Sequence, residues 1–144
     1  MSGVAGSKAS SRSLNACRRW RCIPGGGRPR TQARAGPYTA GAHGFHVIAP
    51  TDRRPWTHDI YRSSKRLALD TRRQLRASGF TAANYIAGGD GLDFRSDLGT
   101  LNLSNIPTVM LEAGNMRNAT DARRMTSASG QRAYATALTR AAAP

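Results

Sequence analysis

Between Trp56 and Ser78, the apolar or small residues Ile60, Tyr61, Ser64, Leu67, Ala68, Thr71 and Leu75 recur at helical intervals. Arg62, Lys65, Arg66, Arg72, Arg73 and Arg76 lie mostly on other faces. The spacing predicts an amphipathic helix with Thr57 as N-cap and Gly79 as its stop. Gly44-Phe45-His46-Val47-Ile48-Ala49-Pro50, bounded by Gly and Pro, predicts a short strand. Ile106 to Leu111 shows no alternation, which fits a second strand covered on both faces and running parallel to its neighbours. Phe80 to Ala87 reads as a further short extended stretch and Gly88-Gly89-Asp90-Gly91 as a turn. Asp93 to Asn105 reads as a loop or short helix that packs Leu98, Leu101 and Leu103 inward. In the last segment Asn118 or Thr120 caps a helix that turns Ala122, Met125, Ala133, Ala137 and Leu138 to the sheet, and Gly130 bends or breaks it. These elements describe an α/β fold, a partial mixed or parallel sheet with flanking helices, over residues 41–144.

Composition changes the picture only at the N-terminus. The chain has 144 residues and a formal net charge of +14, and eight of its 22 basic residues fall in the first 40, which contain no acid. That segment is rich in Ser, Gly, Arg, Ala and Pro, so it buries too little to offset the entropy of ordering; a disordered basic arm is expected over 1–40. Such an arm is a possible nucleic-acid contact, because neutralising phosphates releases counterions, but it lacks interleaved aromatics. The basic face of the 56–78 helix reads as a solvated face in preference to a nucleic-acid surface. Cys17 and Cys22 form a single pair with no second pair to complete a four-ligand zinc site. No stretch is apolar enough to span a bilayer, and Met1 to Leu14 lacks the apolar centre of a secretory signal.

Glu112 is the only glutamate in the chain and stands where the apolar run 106–111 gives way to Ala113-Gly114-Asn115-Met116-Arg117-Asn118. A carboxylate at a strand's C-terminal end occupies the crevice where open α/β sheets build their sites. Four segments in order carry a resemblance: Gly44-Phe45-His46-Val47, Ser63-Ser64-Lys65-Arg66-Leu67-Ala68, Arg95-Ser96-Asp97-Leu98, and Ile106-Pro107-Thr108-Val109-Met110-Leu111-Glu112-Ala113-Gly114-Asn115. Together they resemble the C-terminal part of the zinc-dependent N-acetylmuramoyl-L-alanine amidases, peptidoglycan hydrolases that remove the stem peptide. The resemblance implies that Glu112 is the catalytic glutamate and that Arg95 and Asn115 bind substrate. The implied substrate is peptidoglycan or a muropeptide, cut at the amide between N-acetylmuramic acid and L-alanine.

The same resemblance implies a zinc cofactor held by a His, a Glu and a second His that come before the Gly-Phe-His-Val strand. No His or Glu precedes His43 in this chain, so those ligands have no counterpart. His43, His46 and His58 are the remaining histidines; none matches a family ligand, and no metal residue is assigned. The expectation is a truncated or frameshifted amidase, inactive as written, since the Arg, Gly, Pro and Ala bias of the arm is what GC-rich coding DNA gives out of frame. The competing reading is a non-catalytic protein that uses its basic surface to bind cell wall or nucleic acid. The family is exported to the cell envelope, whereas this chain as written carries no signal and reads as cytoplasmic. Oligomeric state is not legible.

Overall fold

The computed structural model describes residues 41–143. The expected disordered arm, its two cysteines and its nucleic-acid reading lie outside those residues. Strand β1 (His46–Pro50) is buried along its whole length, as a run of Val, Ile and Ala with no charge permits. β2 (Leu92–Arg95) pairs with it in parallel, with Val47 opposite Leu92 and Pro50 opposite Arg95. β3 (Met110–Glu112) pairs with the other edge of β1 and runs antiparallel, with His46 opposite Glu112 and Ile48 opposite Met110. The sheet is therefore mixed, in the order β2-β1-β3.

Helix α1 (Tyr61–Ala77) crosses between β1 and β2 and buries Ser64, Ala68, Thr71 and Leu75, the stripe that its spacing predicts. It ends where predicted. Gly79 has φ +79°, and the amides of Gly79 and Phe80 turn back to the carbonyls of Arg76 and Leu75. A short α2 (Gly99–Asn102) follows β2, and α3 (Ala119–Thr126) and α4 (Ala128–Ala142) follow β3. Helix α4 packs on α1 and on α3. The core lies between β1 and these helices, where Phe45, Val47 and Ala49 meet Ala68, Leu75, Phe80, Leu92 and Ala137. None of the helices among the described residues is long and apolar enough to cross a membrane.

Several expectations need correction. The strand expected over Ile106–Leu111 is three residues long and half-buried, it runs antiparallel, and Ile106 is 46 % exposed. An unbroken apolar run fits an edge strand as well as a doubly covered one. Thr57 does not cap α1, whose N-cap is Ile60 with no side-chain bond. Its hydroxyl instead donates to the Thr51 carbonyl and accepts from the Arg53 amide, closing the loop ahead of the helix. The 93–105 segment, read as a loop or short helix, contains β2 as well as α2. Phe80 to Ala87 contributes only a bridge of Ala82 to Phe45 before a 3-10 turn at Ala87–Gly89. Leu103 and Leu138 point outward, being 71 % and 37 % exposed.

The last helix breaks at Ser127, whose backbone is extended and whose hydroxyl accepts from the Gly130 amide to start α4. Asn118 caps α3 by accepting from the amides of Thr120 and Asp121. Gly130 permits the break: a Cβ there would lie 1.9 Å from the carbonyl oxygen of Arg124.

Candidate active site

β3 delivers Glu112 to the end of the sheet where β1 begins, beside His46 on the same face. Two features hold that end in place. Gly44, with φ +97°, brings the chain against residues 81–83, and a Cβ there would stand 2.5 Å from the Ala82 carbonyl oxygen. The buried carboxylate of Asp121, in the first turn of α3, accepts from the amides of Gly44 at 2.7 Å and Asn115 at 3.0 Å. One acid thus joins the start of β1 to the loop that follows Glu112. Gly114 lies so close to Asp121 that a Cβ would sit 3.0 Å from its Cβ.

The Glu112 side chain is half-buried and makes no hydrogen bond or ion pair among the described residues. Burial raises its pKa above the ordinary carboxylate value. His46 is only 7 % exposed, and its Nδ1 has no hydrogen-bond partner. Burial lowers the pKa of the imidazole; the Asp93 charge opposes that shift and Arg95 reinforces it. Tyr85 meets His46 edge to face with ring centroids 6.3 Å apart. Its phenol is pushed up by burial first, then by the charges of Asp121 and Glu112. Burial thus favours the neutral forms of Glu112, His46 and Tyr85, and a carboxyl whose pKa burial raises is suited to exchange protons.

Asn115 lies in the loop just past Glu112. One of its amide N–H groups donates to the Ala42 carbonyl and its oxygen accepts from the Arg117 amide. Arg95 shares the sheet face of His46 but lies at the far end of β1, opposite Pro50. Its guanidinium is engaged by both carboxylate oxygens of Asp97. Asp121, Tyr85 and Tyr134 were not singled out by sequence. An isolated acid in a first helical turn and single tyrosines among small residues give no periodic signal.

A metal does not fit these residues. A catalytic zinc takes three protein ligands, and no group of three His, Cys, Asp or Glu converges among the described residues. The His43 ring bonds the Gly41 carbonyl, and His58 lies between Asp52 and Arg54. His46 is the histidine that pairs with Glu112 in the sheet.

The mixed sheet and the ordered motifs place the chain in the class of α/β folds that peptidoglycan amidases adopt. The family model for N-acetylmuramoyl-L-alanine amidase matches residues 35–143, and the chain belongs to that family. The N-acetylmuramoyl-L-alanine amidase Rv3717 of Mycobacterium tuberculosis is 45 % identical over 106 residues, which span 72 % of this chain and 42 % of the relative. The crystal structure of the amidase Ami1 from Mycobacterium abscessus superposes with a TM-score of 0.65 at 41 % identity, covering 74 % of this chain and 49 % of that one. Ami1 from Mycobacterium smegmatis gives 0.64 at 37 % identity, with coverages of 74 % and 48 %. The chain thus spans less than half the length of these relatives. Zinc is the norm of the family.

Proposed function

We propose that residues 41–144 form the part of a peptidoglycan amidase catalytic domain that supplies the proton-transfer carboxylate, Glu112. The proposed substrate is a muropeptide or peptidoglycan strand, cut at the amide between N-acetylmuramic acid and L-alanine. The observation that carries this is the position of Glu112: it is half-buried, unpaired among the described residues and raised in pKa by burial. In that state the carboxylate takes a proton from an attacking water and returns it to the departing L-alanine nitrogen. Arg95, oriented by Asp97, and the Asn115 N–H not used by Ala42 are proposed to contact substrate. The work is proposed to take place in the cell envelope, where peptidoglycan lies.

We propose further that this stretch alone does not turn substrate over, because its donor groups do not make a zinc site. The test has two arms. Purified protein is assayed for zinc content and for stem-peptide release from muropeptide; stoichiometric zinc with turnover would overturn the proposed inactivity. Residues 43–142 are also grafted in place of the matching segment of the M. tuberculosis relative. Turnover by the graft should fall about 10²–10⁴-fold on Glu112→Gln. A graft that keeps full turnover with Gln would remove Glu112 from the mechanism.

A further inference from the structure

Charge in this domain is divided by layer. Helices α1, α3 and α4 carry ten Lys or Arg against two acids, Asp70 and Asp121, and Asp121 is buried in its bonds to Gly44 and Asn115. The rest of residues 41–143 carries four Arg against six acids. The helix layer is therefore strongly cationic while the strands and loops are slightly acidic.

Helical geometry decides where those cations point. At about 100° per residue, Arg62, Arg66, Leu69 and Arg73 fall on the side of α1 directly away from its buried stripe of Ser64, Ala68, Thr71 and Leu75. The side chains of Arg66 and Arg73 are 88 % and 69 % exposed, and they share one acid, Asp70, at 3.9 and 2.8 Å. Arg62 has no ion pair among the described residues. Helix α4, which packs on α1, turns Ala137 and Ala141 to the core and Arg132 away from them. The cations of both helices thus share the outer surface of the layer.

Three properties of this surface choose among anionic partners. Its exposed residues on α1 and α4 include no aromatic ring, so it offers no platform on which unpaired bases stack. A duplex major groove admits a helix that stands clear of its neighbours, whereas α1 lies against the sheet with α4 beside it. Leu69 and Leu138 are each 37 % exposed on these two helices, and the aliphatic stems of the arginines add to that apolar area. A broad cationic plane with apolar side chains set into it matches the headgroup level of an anionic bilayer, where charge and hydrocarbon lie within a few ångströms of each other.

We propose that the outer face of α1 and α4 is a docking surface for a membrane that bears anionic phospholipid. The guanidinium groups of Arg62, Arg66, Arg73 and Arg132 meet the lipid phosphates, and Leu69 rests at the headgroup level. The contact is peripheral, since none of the helices among the described residues is long and apolar enough to cross a membrane. Each basic residue held near such a surface raises the affinity roughly fivefold. The helices cover the sheet face of Val47 and Ala49, while Glu112 lies with His46 on the other, so docking turns Glu112 away from the lipid.

The test sediments the full chain with vesicles of phosphatidylcholine, alone or with about 30 % phosphatidylglycerol, in about 0.1 M salt. The parent should bind the anionic vesicles at least about tenfold more tightly than the neutral ones. Two double variants then locate the contact. Arg62→Gln with Arg73→Gln removes two charges from the face, and Arg53→Gln with Arg54→Gln removes two from the loop after β1; the basic N-terminal segment is the same in both. The first pair should weaken binding about tenfold or more and the second less than about threefold. All four side chains are exposed, so both proteins fold as the parent does, which circular dichroism checks. Equal binding to the two kinds of vesicle overturns the proposal, as does an equal loss in the two variants. Duplex DNA that binds the parent more tightly than the anionic vesicles do, and loses affinity in the first variant, would give the face to nucleic acid and overturn it as well. Vesicle binding is read without turnover, so its outcome is separate from the role of Glu112.

Discussion

The hydroxyl of Tyr134 donates to the carbonyl of Ala113 at 2.7 Å, tying the last helix to the residue that follows Glu112. Its ring stacks on Phe80 with centroids 4.1 Å apart. The core thus fixes one end of the tyrosine and the candidate catalytic loop fixes the other. Burial, with the Asp121 charge adding and Arg124 opposing, pushes the phenol up to about 12 from an ordinary 10.0.

Tyr134→Phe keeps the stack and removes the hydrogen bond, so it should cost about 0.5–1.5 kcal/mol at neutral pH. The raised pKa has its own signature. Its stabilising contribution is present below the ordinary value of 10.0 and is lost as pH climbs toward about 12. Urea midpoints at neutral pH and across that alkaline window check both statements; the Phe variant should lack the alkaline loss assigned to this group.

Glu112→Gln should stabilise the protein at neutral pH. The folded-state pKa of Glu112 lies above the ordinary 4.5, so its stabilising contribution is present below that value and is lost as pH rises through the folded one. Above its folded pKa the half-buried ionised carboxylate is a burden that glutamine removes, the stability cost common to catalytic groups. The gain should vanish below the ordinary pKa. Denaturant midpoints against pH read this directly, and an equal or lower midpoint for the variant at pH 7 would refute it.

His46 should respond to acid in the opposite direction. Its folded pKa lies below the ordinary 6.5, so its contribution is present above that value and is lost as pH falls through the folded one. The groups that shift it are Asp93 and Arg95 on the neighbouring strand, with burial as the larger cause. In a Glu112→Gln background, which removes the opposing titration, His46→Phe should flatten the loss of stability between neutral and acidic pH. Midpoints at pH 7 and 5 for both proteins give the answer.

Three glycines separate backbone strain from steric exclusion. Gly79 has φ +79° but open space around its Cβ position, so Gly79→Ala should cost about 1–2 kcal/mol. Gly44 adds a 2.5 Å clash with the Ala82 carbonyl oxygen to its positive φ, and alanine at Gly130 would meet the Arg124 oxygen at 1.9 Å. Both of those substitutions should cost more, roughly 3 kcal/mol or beyond. Thermal unfolding of the three single variants should rank Gly79→Ala as the mildest.

Much of the fold was legible because its signals are local and strong. The α1 stripe and the Gly79 stop are written in spacing and in one permissive residue, and β1 in an uncharged apolar run between Gly and Pro. β2 is not legible although Leu92-Asp93-Phe94-Arg95 alternates, because four residues between a glycine cluster and another acid resemble a loop. The direction of β3 is not legible for a physical reason: periodicity reports which faces are covered and carries nothing about a partner strand's orientation. Glu112 was found through its block of neighbours. Asp121 was not, since the bonds that give it meaning reach Gly44, 77 residues away in the chain.

The reversed direction of β3 leaves the molecule with two rims under unequal constraint. At one, the Gly44 contact, the Asp121 carboxylate and the Tyr134 hydroxyl close on a few residues around Glu112, and an inserted residue there shifts the carboxyl group. At the other, the loops 51–60 and 96–109 join elements whose register is already set within the sheet. Evolution can lengthen or re-cut that second rim while the acid at the first stays in place.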